Sequence, residues 1–229
     1  MIKRVDLGFF VLGLGLLIWG HYWGLVIAPP EREMGDVYRI IFVHVPSAWM
    51  ALLAFTVTLI ASLVYLFKGS FKADAVAEAS AEVGVFFNVL TLITGSIWGK
   101  PTWGVFWTWD PRLTTAAIMC IAFAGYLALR RFVFEPERRA SWSAIVAIII
   151  YADIPLVWFS VKWWNSLHQL QSSPQTVSPD MYLPLRVSAF AFLFLMIAFI
   201  RGRYHIARVI QRGELSEPPG PAPEPGGAS

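Results

Sequence analysis

Six apolar runs constrain this 229-residue chain more than any other feature: residues 7–27, 47–67, 83–97, 113–129, 142–161 and 183–200. A helix needs about 20 apolar residues to cross a bilayer. Within the hydrocarbon every backbone polar group must find its partner inside its own segment. The runs therefore point to an all-α integral membrane protein with six transmembrane helices. The third and fourth are short, so their helices are expected to extend into polar flanks. The first is long and lacks a small-residue cleavage site, which reads as a span rather than a signal peptide. The composition agrees, with 57% hydrophobic and 14% charged residues.

Basic residues mark the cytoplasmic side of such a protein. One set of alternate loops holds twelve of the 18: Lys3, Arg4, Lys68, Lys72, Arg130, Arg131, Arg138, Arg139, Arg201, Arg203, Arg208 and Arg212. The other set holds six: Arg32, Arg39, Lys100, Arg112, Lys162 and Arg186. Both termini are thus expected in the cytoplasm, and loops 28–46, 98–112 and 162–182 on the outer face. The net charge of +3 reports this topology and not nucleic-acid binding. Residues 73–82 are helix formers expected to extend the third span as a solvated or partner-facing helix, with Asp74, Glu78 and Glu82 on one face. The membrane domain is placed at 1–212. The Pro- and Gly-rich stretch 213–229 is expected to be a disordered cytoplasmic tail.

Several chemistries are absent from the sequence. Cys120 is the single cysteine, so there is no intrachain disulfide and no Cys-x-x-Cys-His haem attachment site; it reads as a small buried apolar residue. No phosphate-binding loop occurs, so any ATP-driven work falls to another chain. No nucleophile stands with a base, so the chain reads as a binding and transfer protein and not an enzyme.

Residues 98–112, WGKPTWGVFWTWDPR, hold four of the eleven tryptophans: Trp98, Trp103, Trp107 and Trp109. Interface anchoring uses one or two such rings, so four with interspersed glycine and proline suggest a shaped aromatic platform. A flat, apolar, partly charged ligand suits it, and a porphyrin has that form. The indoles would stack on the ring, and Lys100 and Arg112 would meet its carboxylates. Asp110 precedes Pro111, which suits a cap for the fourth span as well as a ligand contact. Arg112 could pair with Asp110, meet a propionate or anchor at headgroups.

The chain has four histidines. His205 lies among Arg203 and Arg208 and reads as a surface residue or headgroup contact. His21, in the outer half of the first span, is read as hydrogen-bonded between helices. His44 precedes Pro46 and Ser47, which resemble a helix start, and so is expected just outside the second helix. His168 follows the fifth span. Two imidazoles from two outer loops flanking the tryptophan loop are candidate axial ligands of haem iron; two ordinary interface histidines are the alternative. Asp153 and Asn88 are polar groups within spans, read as structural or intersubunit contacts.

WGKPTWGVFWTWDPRLT resembles the tryptophan-rich WWD motif of haem-handling membrane proteins. RIIFVHVPSAWMA around His44, IYADIPLVWFSVKWWNSLHQ around His168 and the six-span length narrow the resemblance to the CcmC family. It covers roughly residues 36–188. One departure is Phe106, where many relatives carry a first tryptophan of a Trp-Trp pair; the flat ring is kept and the indole N–H lost.

The resemblance implies a multi-pass protein of the bacterial cytoplasmic (inner) membrane that holds haem b, non-covalently and transiently, on the periplasmic side. It implies transfer to the haem chaperone CcmE during cytochrome c biogenesis, within an ABC-type complex with the ATPase CcmA and the membrane subunits CcmB and CcmD. Carried over, His44 and His168 become axial ligands. Trp98, Gly99, Trp103, Gly104, Trp107, Trp109, Asp110 and Arg112 become the platform, with Lys100, Trp49, Trp163 and Trp164 as further candidates. Trp49, Trp163 and Trp164 read equally as interface anchors. Two rivals stand beside this reading. A b-type cytochrome usually places paired histidines inside spans. A haem permease needs a continuous polar path, and the interior offers mainly His21, Asn88, Asp153 and some hydroxyls.

Overall fold

The computed structural model describes residues 4–169 and 176–216. They form six helical spans and, among the described residues, no strand. Helix α1 (Arg4–Tyr22) ends in a π-helical turn, Trp23–Ile27. A 3₁₀ turn at Asp36–Ile40 leads directly into α2 (Ile41–Lys68). Next come α3 (Phe71–Trp103) and α4 (Pro111–Phe132). The fifth span is split into α5 (Pro136–Tyr151) and α6 (Asp153–Trp163), and α7 (Pro179–Ser216) closes the bundle.

The ends of these helices follow from local chemistry. Ser70 caps α3 by accepting from the Ala73 N–H. Gly69 and Gly104, at φ of +61° and +80°, end α2 and α3 in the left-handed conformation that glycine adopts without a Cβ penalty. Asp110 caps α4, with Pro111 in the first helical position, as its sequence predicts. The fifth span breaks at Ala152 because Pro155 has no N–H for the carbonyl of Tyr151, four residues earlier.

Small residues decide which helices touch. Along the α2–α3 seam Ala51, Ala54, Ala77 and Ala81 are buried, and the Thr58 and Ser80 hydroxyls meet at 2.8 Å. Small side chains let backbones approach where lipid gives no hydrophobic drive between helices. Gly84 is required here, since a Cβ would lie 2.5 Å from the Phe55 ring. Phe55 in turn stacks on Phe123 of α4 at 3.8 Å between centroids. Helix α1 packs on α7 through Gly13 and Gly20.

At the basic end of the bundle the expectation of a solvated acidic face is corrected. Asp74 is buried, and Arg130 donates to both its carboxylate oxygens at 2.7 and 2.9 Å. Arg130 also reaches Glu78 at 3.0 Å, and Gln211 of α7 donates to Asp74 at 2.7 Å. An unpaired buried charge costs several kcal/mol (roughly 3–5), so the pairing joins α3, α4 and α7. Glu82 pairs with Arg203. His205 is likewise not a free surface residue, its Nε2 lying 3.3 Å from Asp6. Helix α7 runs to Ser216, past the expected start of the tail at 213; residues 217–229 lie outside the described residues.

Candidate functional site

At the opposite end, the tryptophan-rich segment divides in two. Residues 98–103 belong to the last turns of α3, so the expected loop at 98–112 is shorter than its sequence suggests. The glycine cap at Gly104 then turns the chain towards α4. His44 is corrected in the same way. It lies in the first turn of α2 and not outside the helix, because the 3₁₀ turn before it starts the helix at Ile41 and Pro46 fits inside. His168 stays in the segment after α6.

Despite 124 positions of separation in sequence, the two imidazoles lie side by side in space, with ring centroids 6.2 Å apart and planes tilted by 31°. Their hydrogen bonds settle their tautomers. The Thr94 hydroxyl donates to the Leu90 carbonyl at 2.7 Å. Its oxygen is then the acceptor for His44 Nδ1, 3.0 Å away. His168 Nδ1 stands 2.9 Å from the Gln169 carbonyl, which can only accept. Each ring therefore carries its proton on Nδ1 and its lone pair on Nε2, the form that binds a metal through Nε2. Burial, reinforced by the positive charge of Arg112, pushes the His168 imidazole down from its usual value to about 4. It remains neutral at physiological pH.

A narrow crevice of about 60 Å³ runs from this pair into the bundle between α2, α3, α4 and α6. Trp98, Trp103, Trp107 and Arg112 line it with the two histidines, above a floor that includes Leu52, Met119 and Val157. Trp98 and Trp103 pack edge to face at 5.2 Å and stand 6.1 and 6.5 Å from the His168 ring. The Arg112 Nη1 is buried with no hydrogen-bond partner among the described residues. A second, smaller space opens on the other side of the same pair, bounded by Tyr38, Trp98 and Gln169.

Asp110 does more than cap α4. Its carboxylate accepts from the Arg112 N–H at 2.9 Å, the Ser166 hydroxyl at 3.0 Å and the Leu167 N–H at 2.7 Å. Ser166 in turn accepts from the His168 N–H at 3.1 Å. The buried carboxylate thus fastens the segment carrying His168 to the start of α4.

Most of the other residues singled out in the sequence lie apart from the crevice. Trp109 is 83% exposed and meets Trp107 edge-on. The Lys100 ammonium turns back onto the Gly104 carbonyl at 3.0 Å and over the Phe106 ring. Trp163 stacks on Phe159, and Trp164 lies against Trp163. Trp49 packs on the core of the bundle. Gly99 and Gly104 shape the chain: a Cβ on Gly99 would meet the Val105 carbonyl at 3.1 Å. Asn88 sits in the crevice wall and donates to the Ala116 carbonyl at 3.1 Å. His21 bonds to Leu17 of its own helix and not between helices.

Sequence reasoning missed Thr91, Gly95 and Ser166. Thr91 and Gly95 line the crevice, and a Cβ on Gly95 would approach His44 Cε1 to 3.1 Å. With Trp98 they follow an i, i+4, i+7 spacing along one face of α3, a signal that extending the helix to Trp103 would have revealed. Nothing in the sequence marked Ser166.

The heme exporter protein C (CcmC) family model matches residues 1–216. The chain is 38% identical over 186 residues to heme exporter protein C of Bradyrhizobium diazoefficiens, covering 80% of this chain and 70% of that protein. It is 36% identical over 182 residues to heme exporter protein C of Escherichia coli K12, covering 79% and 74%. With the Haemophilus influenzae protein of the same name it shares 37% over 202 residues, 86% and 82% of the two chains. A whole-length family match and this level of identity leave one assignment: the chain is a member of the heme exporter protein C family.

Proposed function

We propose that this chain holds haem b at the periplasmic face of the bacterial inner membrane and releases it to the chaperone CcmE for cytochrome c maturation. In this reading it is the haem-handling subunit beside CcmA, CcmB and CcmD, and it has no catalytic residues of its own. The observation that carries it is the convergence of His44 and His168 in one tautomer beside the tryptophans. His44 and His168 would hold the iron through Nε2, the nitrogen each leaves unprotonated. The crevice supplies an apolar wall, and the unpaired Arg112 nitrogen is available to a carboxylate. Handing over a haem held by both histidines would require one of them to let go. His168, on a connecting segment held by hydrogen bonds, supports that role better than His44, which is fixed in a helix.

Titration of the purified full chain with haem tests the reading. Replacing either histidine by alanine is expected to weaken retention at least tenfold and to stop transfer to purified CcmE. Undiminished retention in both variants removes the assignment.

A further inference from the structure

Helix α3 brings two adjacent residues, Thr94 and Gly95, against one edge of the His44 ring. Thr94 is buried. Its hydroxyl donates to the Leu90 carbonyl of its own helix at 2.7 Å, so its oxygen is left to accept from His44 Nδ1 at 3.0 Å. A Cβ on Gly95 would stand 3.1 Å from His44 Cε1 and 3.6 Å from Nδ1. The Nδ1–Cε1 edge of the imidazole thus meets a fixed acceptor and, beside it, a gap that any other side chain would fill. Nε2 is the ring atom next to Cε1. A methyl group pressing on Cε1 would swing Nε2 about the Thr94 hydrogen bond. Loss of the hydroxyl would free the ring to turn and to exchange its tautomer.

The two imidazoles differ in what orients them. His44 stands in the first turn of α2, and its acceptor comes from another helix, packed on α2 along buried alanines. For His168 the acceptor is the carbonyl of the next residue, Gln169, so that bond belongs to the connecting segment itself. Movement of that segment leaves the Thr94–His44 bond intact. Outer hydrogen-bond partners of metal-binding imidazoles fix ring and tautomer, and their loss costs about 10–100-fold in affinity.

We propose that Thr94 is the positioning residue for His44: it turns Nε2 towards the iron, with Gly95 giving the ring its room, and so keeps one ligand in place while His168 lets go. This rests on the reading of His44 as a haem ligand. Thr94 acts through that ring alone, which a double-mutant cycle tests, with haem loss from the purified full chain to an apo-acceptor as the measurement. Thr94→Val, the same shape without the hydroxyl, should speed loss about tenfold, and by a similar factor in the His168→Ala background. In the His44→Ala background it should change the rate by less than about twofold. Thr94→Ser should restore most of the retention. Gly95→Ala keeps the hydroxyl and should repeat the pattern of Thr94→Val. A second measurement needs no haem. In nitrogen NMR spectra of the haem-free, histidine-labelled chain, His44 should be the single Nδ1–H tautomer, and in Thr94→Val it should populate both. An equal effect of Thr94→Val with and without His44, or a tautomer unchanged by it, overturns the proposal. Retention undiminished in His44→Ala itself would instead remove the ligand assignment, and the proposal with it.

Discussion

His168 is held by a chain of single atoms: its own N–H on Ser166, and Ser166 and Leu167 on the Asp110 carboxylate. Hydrogen bonds to a charged group contribute about 1.5–3 kcal/mol each. Ser166→Ala should therefore weaken haem retention by about tenfold without unfolding the protein, as measured by haem loss to an apo-acceptor, and Ser166→Thr should restore most of it. Unaltered haem loss from Ser166→Ala would show that the fastening does not govern His168. Protonation gives a second check. The lowered value of His168 means that its Nε2 lone pair survives acidification until about pH 4. Retention should be flat from pH 8 to 5 and fall as pH nears 4; a midpoint near 6.5 would contradict this. The sign for stability agrees. The unfolded chain takes up this proton near pH 6.5 and the folded chain does not, so folding loses stability as pH falls through that window. The sequence singled out both histidines and the cap at Asp110. It could not reveal the Asp110–Ser166 link, because a serine two residues before a histidine carries no periodic or capping signature.

Helix boundaries were the hardest part to read, and each misplacement has a local cause. Proline at position 46 suggested a helix start, yet a 3₁₀ turn stabilised upstream carries the helix back past His44. Arg39 supports that turn, bonding Asp36 at 2.7 Å and the Ala28 carbonyl at 2.9 Å and reaching the Gly24 carbonyl as well. In α3, Pro101 and the glycines suggested a loop, but the helix reaches Trp103 and ends only at the left-handed Gly104. The short third and fourth runs did extend into polar flanks, to Phe71–Trp103 and Pro111–Phe132. At this scale the α2–α3 seam is most sensitive to size. Gly84→Val drives a side chain into the Phe55 ring and should cost about 1–3 kcal/mol, the usual range for overpacking, read as a lower thermal midpoint in detergent. A midpoint equal to that of the unaltered chain would mean that the seam is looser than described.

Across the whole molecule, the two ends of the bundle carry different chemistry. One end is tied by ion pairs, Asp74 with Arg130, Arg139 with Glu214 and Glu82 with Arg203. The other is an aromatic crevice around two neutral imidazoles. The six-span architecture was legible because hydrocarbon thickness fixes span length. The burial of Asp74 was not, since i, i+4 acids look alike on a wet and on a packed face. Arg130→Met leaves Asp74 buried with only Gln211 to answer it and should destabilise the protein by roughly 3–5 kcal/mol. Haem bound by whatever remains folded should keep its spectrum. A spectral change without loss of stability would couple the two ends directly.

Electron paramagnetic resonance of the ferric haem complex of the full chain tests the central claim most directly. Convergent ligation by His44 and His168 predicts a low-spin, bis-imidazole signal that turns high-spin in His44→Ala and in His168→Ala alike. A low-spin signal that persists in both variants would contradict it.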